Sequence, residues 1–196
     1  MKKTLLFLLM TFAIVANAQK GTYLVSGSAS YYSDKKSEDN AIDNQNFGFN
    51  PKLGYQFNDN WTVGLESSIN QSKWYGQSTA NNYLSKRDNF SLGSFLRYST
   101  SLNDSFSLFT DLGIGFQNRK EVFSTDNFSE ITSKSNGVYA TLQPLIHLKI
   151  KNGFGMNFGL GGMSYSSMKN QDLNNTNSVF YINFGQAYTV GIQKNF

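Results

Sequence analysis

The chain is 196 residues long, with 15% aromatic and 15% charged residues, 17 glycines, two prolines and no cysteine, a length that suits one domain. The missing cysteine excludes disulfide scaffolds and thiolate metal centres. A net charge of +4, falling to +2 once Lys2 and Lys3 are set aside, is too small an excess for a nucleic-acid surface, so no nucleic acid is expected as a partner.

Residues 1–18 open with Lys2 and Lys3, continue as an apolar run from Leu5 to Ala16, and place small residues at Ala16 and Ala18 before Gln19. That pattern predicts a cleaved signal peptide, because the run is shorter than the ~20 apolar residues of a spanning helix. The mature domain is then 19–196, outside the cytoplasm.

Beyond the leader no apolar stretch is long enough for a transmembrane helix, yet alternate positions separate into two kinds. A first segment carries Tyr23, Val25, Ala29 and Tyr31. The next has Phe47, Phe49, Pro51, Leu53, Tyr55 and Phe57 on one parity and Gly48, Asn50, Lys52, Gly54 and Gln56 on the other. Trp61, Val63, Leu65 and Ile69 follow, then Phe90, Leu92, Leu96 and Tyr98, then Phe106, Leu108, Leu112, Ile114 and Phe116. Val138, Ala140, Leu142, Ile146, Leu148 and Ile150 form a sixth row, Phe154, Met156, Phe158 and Leu160 a seventh, and Phe180, Ile182, Phe184, Tyr188, Val190 and Ile192 an eighth. Period-two alternation of this kind predicts eight strands.

Connections alternate as well. Asn58-Asp59-Asn60, Asn103-Asp104-Ser105 and Lys151-Asn152-Gly153 read as three-residue hairpin turns with one position at positive φ. The stretches near 33–46, 72–88, 117–137 and 164–178 are polar and read as long loops of mixed charge. Within the strands, Lys52, Glu66, Arg97, Asp111, His147 and Lys149 all occupy the parity opposite the large apolar residues. A soluble barrel puts its apolar side chains inside. In lipid an outward charge at mid-depth costs ~2 to 4 kcal/mol. The expected fold is therefore all-β: a closed eight-stranded antiparallel up-and-down transmembrane β-barrel, apolar outside, since an open sheet edge in hydrocarbon leaves backbone groups unpaired. Aromatic girdles are expected from Tyr55, Phe57, Trp61, Tyr98, Phe106 and Phe154 toward the turns, and from Tyr31, Phe47, Phe116, Phe180 and Trp74 toward the loops.

The run Phe49-Asn50-Pro51-Lys52-Leu53-Gly54-Tyr55-Gln56-Phe57 and its continuation Asn58 to Leu65 resemble strands of small outer-membrane β-barrel domain proteins, similar in plan to the OmpA and OmpX types. The end of the chain resembles the terminal strand read by the barrel-assembly machinery, with Tyr188, Val190, Ile192 and a final Phe196. Lys194 departs from that pattern, where a lysine near the interface can snorkel. The resemblance implies a Gram-negative outer membrane, contact with outer-membrane lipid, the assembly machinery as a partner during biogenesis, and a monomer. It leaves activity open, because adhesins, lipid-modifying enzymes and barrels without an activity share the architecture.

Counting outward from the tight turns pairs Lys52 with Glu66 and Arg97 with Asp111, both pointing into the lumen, and suggests a four-member ion-pair network. Eight strands leave an interior just wide enough for side chains, so the network reads as a plug, with Phe95 and Phe109 packed inward opposite glycine-bearing stretches. The role is then envelope integrity or surface recognition through four outer loops that display an extracellular ligand site. The alternative is a small-solute pore gated by exchange of ion partners. Lipid enzymology is the third reading. His147, the only histidine, stands near a periplasmic turn facing Asn157, the wrong end for outer-leaflet chemistry, so no catalytic residue, metal or cofactor is expected. Asp34, Glu38, Asp39 and Asp43 read as a solvated acidic loop. Pro51 and Pro144 conflict with strands, since proline removes a ladder donor, and Gln186 conflicts with the lipid-facing parity.

Overall fold

The computed structural model describes residues 21–35, 42–76, 82–126 and 128–196. They form β1 (Thr22–Asp34), β2 (Ile42–Gln56), β3 (Trp61–Gly76), β4 (Tyr83–Ser101), β5 (Phe106–Thr125), β6 (Phe128–Lys151), β7 (Phe154–Asn170) and β8 (Thr176–Asn195), a closed barrel in which each strand pairs with its sequence neighbours and β1 returns to β8. All pairings are antiparallel. The signal peptide expected at 1–18 lies outside the described residues.

The barrel is inverted relative to a soluble one. Leu65, Ile114, Phe116 and Ile192 are 59%, 59%, 76% and 67% exposed, whereas Phe95, Arg97, Asp111 and Gln193 on the opposite parity are 1%, 2%, 2% and 2% exposed. Large apolar side chains thus cover the outside and the buried interior is mostly polar, the distribution hydrocarbon demands.

The tight turns use two devices. At 58–60 and 103–105 the side-chain oxygens of Asn58 and Asn103 accept the backbone N–H groups of the residues two and three further on, and no residue of either turn adopts positive φ. The expected positive φ is therefore replaced there by an asparagine cap. The third turn is shorter than expected: Lys151 pairs with Phe154, and Asn152 and Gly153 take φ of 51° and 76°. Asn-Gly with two positive φ values is the two-residue turn whose twist suits a hairpin, and the register shift between Lys149 and Lys151 absorbs the residue left over.

The four polar connections are also shorter than the sequence suggests. Strands run to Asp34, Gly76, Thr125 and Asn170 and resume at Ile42, Tyr83, Phe128 and Thr176. Half of the first polar stretch and most of the other three is strand that has left the apolar band, where both faces meet water and alternation is no longer required. Trp74 sits on the lumen parity with the Arg87 guanidinium 5.4 Å from its ring, so it is not part of the outer girdle.

Both prolines occur where pairing is interrupted. Pro144 lies in the register shift between Leu142 and Leu145, against the β7 segment containing Gly161 and Gly162. Beside Pro51 the β2–β3 ladder skips from Phe49–Ile69 to Lys52–Glu66 without changing register. A second shift sets Gly159–Thr189 against Gly161–Phe184 in β7–β8. Gln186 falls in that irregular segment by sequence, and its side chain is outside the described ones.

Candidate functional site

The site is built from residues on the inner parity of seven strands. On β2 and β3, Lys52 pairs in register with Glu66, and on β4 and β5, Arg97 pairs with Asp111. The Arg97 guanidinium grips Asp111 with two hydrogen bonds, Nε to Oδ1 at 2.6 Å and Nη2 to Oδ2 at 2.8 Å, the fork geometry that suits a buried pair. The Lys52 ammonium stands 2.9 Å from Glu66 Oε2 and 2.9 Å from Asp111 Oδ2. Glu66 and Arg97 do not meet directly, although their strands are neighbours: Glu66 is opposite Gly93 and Arg97 opposite Thr62. The connection runs across the lumen through Lys52 and Asp111.

Further residues, absent from the sequence reading of the network, extend it. Tyr139 on β6 donates to Glu66 Oε1 at 2.9 Å. Arg97 Nη1 donates to Gln193 Oε1 on β8 at 2.7 Å, and Asn157 Nδ2 on β7 donates to the same oxygen at 3.0 Å. Asn157 Oδ1 then lies 2.7 Å from His147 Nδ1 on β6. A chain of hydrogen bonds thus runs Tyr139, Glu66, Lys52, Asp111, Arg97, Gln193, Asn157, His147, touching every strand from β2 to β8. Large polar residues on the lumen parity were the available signal for Tyr139 and Gln193.

Aromatic rings fill the space between these groups. Lys52 Nζ is 5.1 Å from the centre of the Phe95 ring, and the Arg97 guanidinium is 5.9 Å from Phe95 and 4.6 Å from Phe109. Phe95 has room because a Cβ on Gly64 would lie 2.6 Å from its ring. Gly113 makes comparable room for Glu66, whose Oε1 an added Cβ would overlap. Phe109 faces Ser99 and Leu145 rather than a glycine, and stacks on the His147 ring at 4.7 Å and 18°. That histidine is buried, hydrogen-bonded and covered by a ring.

Two cavities lie in the lumen, one of about 730 Å³ and, toward the tight turns, one of about 360 Å³. Arg97 lines both, Lys52, Glu66 and Asp111 line the larger one, and Phe109 and Gln193 line the smaller. Among the described residues no group of three His, Asp or Glu side chains is arranged to hold a metal ion; of the acidic loop, Glu38 and Asp39 lie outside those residues.

At the end of the chain Val190, Ile192 and Phe196 face outward, while the Tyr188 side chain is outside the described ones. Lys194 Nζ sits over the rings of Phe154 at 4.6 Å and Phe196 at 5.4 Å and donates to the Asn152 carbonyl, the snorkelled placement that reconciles a lysine with this row. Phe196 and Tyr23 exchange backbone hydrogen bonds of 3.2 Å and 2.9 Å.

A family model described as "Outer membrane protein beta-barrel domain" matches residues 4–186. No curated protein matches the chain by sequence. Among solved structures it is similar to a major outer membrane protein from Thermus thermophilus (9% identity, TM-score 0.50, 91% of this chain and 100% of that one). It is similar also to OprG from Pseudomonas aeruginosa (14%, 0.49, 92% and 98%) and to Ail, the attachment invasion locus protein of Yersinia pestis (16%, 0.47, 91% and 100%). At such identities the likeness is one of fold.

Proposed function

The chain belongs to the outer membrane protein beta-barrel domain family and resides in the outer membrane, and from that premise we propose that it is a non-conducting, non-enzymatic barrel with a side-chain plug. Its work is then done at the outer surface, in recognition or in support of the envelope, after residues 1–18 have been removed as a signal peptide. The observation that carries this reading is the bridge from half-buried Lys52 to the buried Asp111–Arg97 pair, which crosses the lumen from β2 to β4 and β5. His147 supports the non-enzymatic part: its Nδ1 is engaged by Asn157 and its face by Phe109, and it lines neither cavity.

The test is conductance. Purified protein reconstituted in planar bilayers is expected to give no steady single-channel current, and steady openings in the wild type would overturn the plug.

The second reading, a small-solute pore, is favoured by one feature. Lys52 is shared between Glu66 and Asp111 at equal distances, so a change of partner needs little movement. A pore gated in this way predicts that Glu66→Gln alters the current, whereas a plug predicts silence in both proteins.

A further inference from the structure

Above the apolar band, the outward face of five consecutive strands carries a lysine at the same offset. Ile69 on β3, Phe90 on β4, Phe116 on β5, Val138 on β6 and Tyr165 on β7 are the last residues of the continuous apolar rows, and all are exposed; single apolar residues return beyond the lysines at Tyr75, Leu84 and Val122. Lys73, Lys86, Lys120, Lys134 and Lys169 each lie four residues beyond them toward the outer end, on the same face. The pairing makes the coincidence sharper. Lys73 is directly opposite Lys86, and Lys120 is directly opposite Lys134.

Like charges at facing positions of an antiparallel pair repel, because their Cβ atoms are only about 5 Å apart. Among the described residues Lys86 alone of the five has an ion-pair partner, Asp88 at 3.0 Å on its own strand, and that one carboxylate, which is also directly opposite Lys120, is the single acidic group set against five ammonium groups. Charges scattered over a merely solvated extension have no reason to repeat at one height on five strands or to oppose their own kind twice. An anion between them removes the repulsion.

The height identifies the anion. Four residues of a strand rise ~13 Å along its axis, which at a tilt of ~40° is about 10 Å along the membrane normal. That places the Cα atoms at the top of the polar interface, which extends several Å beyond the hydrocarbon. A lysine stem lies down along apolar surface while its ammonium reaches polar groups below, and the ammonium is a compact partner for phosphate.

We propose that Lys73, Lys86, Lys120, Lys134 and Lys169 form a belt that binds the phosphate groups of the outer-leaflet glycolipid. The belt rests on an orientation with the tight turns on the periplasmic side and the proposed surface-recognition loops outside, and is independent of whether the lumen conducts. It spans β3 to β7, so the barrel would hold a defined glycolipid annulus along that side.

Full-length mature protein in detergent is loaded with bisphosphorylated lipid A, with the same lipid stripped of phosphate, or with phosphatidylglycerol, and retained lipid is counted by native mass spectrometry. The wild type is expected to retain bisphosphorylated lipid A in preference to both others. Replacing all five lysines by glutamine is expected to weaken that retention by about tenfold or more, as the removal of several charges beside an anionic surface requires. Lys120→Gln with Lys134→Gln should give a smaller loss of the same kind, and this milder pair carries the test if the fivefold variant does not fold. Lys149→Gln with Lys151→Gln removes the same charge at the turn end and should change nothing. Equal retention of the phosphate-free lipid, equal retention of phosphatidylglycerol, or an equal loss in the turn-end control would each overturn the belt. A conducting channel found in the bilayer experiment would leave it standing.

Discussion

Asp111 holds the lumen network together because two cations converge on one carboxylate that is 2% exposed. Replacing it with asparagine leaves Arg97, equally buried, beside Lys52 without the shared negative charge. Breaking a buried pair in this way costs about 3 to 5 kcal/mol, so Asp111→Asn is expected to lower the urea midpoint of the folded, heat-modifiable form markedly. Arg97→Met combined with Asp111→Leu removes both charges and should recover much of that loss, since two desolvation costs vanish with the attraction. A double variant as unstable as Asp111→Asn alone would show that packing, and not charge, governs the site. The four charges are legible in sequence because each stands on the parity opposite a row of large apolar residues. Gln193, Asn157 and Tyr139 are not legible as members, because what joins them is distance across the lumen. That distance follows from the stagger between strands, which spacing within one hairpin does not express.

Among the elements, the turns differ in what they will tolerate. Asn58 supplies a side-chain oxygen to two backbone donors at 3.0 Å and 2.8 Å in an exposed turn. Asn58→Ala gives those donors to water, a loss of about 1 kcal/mol. Gly153 sits at φ 76°, where an added Cβ would also collide with the Asn195 carbonyl oxygen. Gly153→Val is therefore expected to cost more, by at least the ~1 to 2 kcal/mol of a left-handed residue, and to do so by pushing β7 away from the end of β8. Comparing the fraction refolded into vesicles for the two variants reads the difference, and equal losses would contradict it. Strand existence was legible from period-two alternation, but strand length was not. In β5 the apolar row stops at Phe116 while the strand continues to Thr125, since the lipid that enforces alternation ends before the hydrogen-bonded ladder does. The same cause makes Trp74 look like a girdle residue when its parity is that of the lumen.

For the molecule as a whole, closure depends on the narrowest seam. β1 joins β8 through the pairs from Leu24–Asn195 to Gly27–Ile192, whereas β4 and β5 pair from Tyr83–Thr125 to Ser101–Ser107. The two backbone hydrogen bonds between Tyr23 and Phe196 extend this short seam at the turn end, and an unpaired backbone group in hydrocarbon costs several kcal/mol. Deleting Phe196 removes both bonds and should reduce the closed, protease-resistant form both in cells and on refolding into vesicles. Phe196→Ala keeps the backbone and loses only the ring. If Phe196 also serves, with Val190 and Ile192, as an assembly signal, Phe196→Ala should fold nearly as well as the parent in vesicles, where no machinery is present, yet accumulate less in the outer membrane of cells. A shortfall of equal size in vesicles and in cells would assign the residue to closing the seam alone.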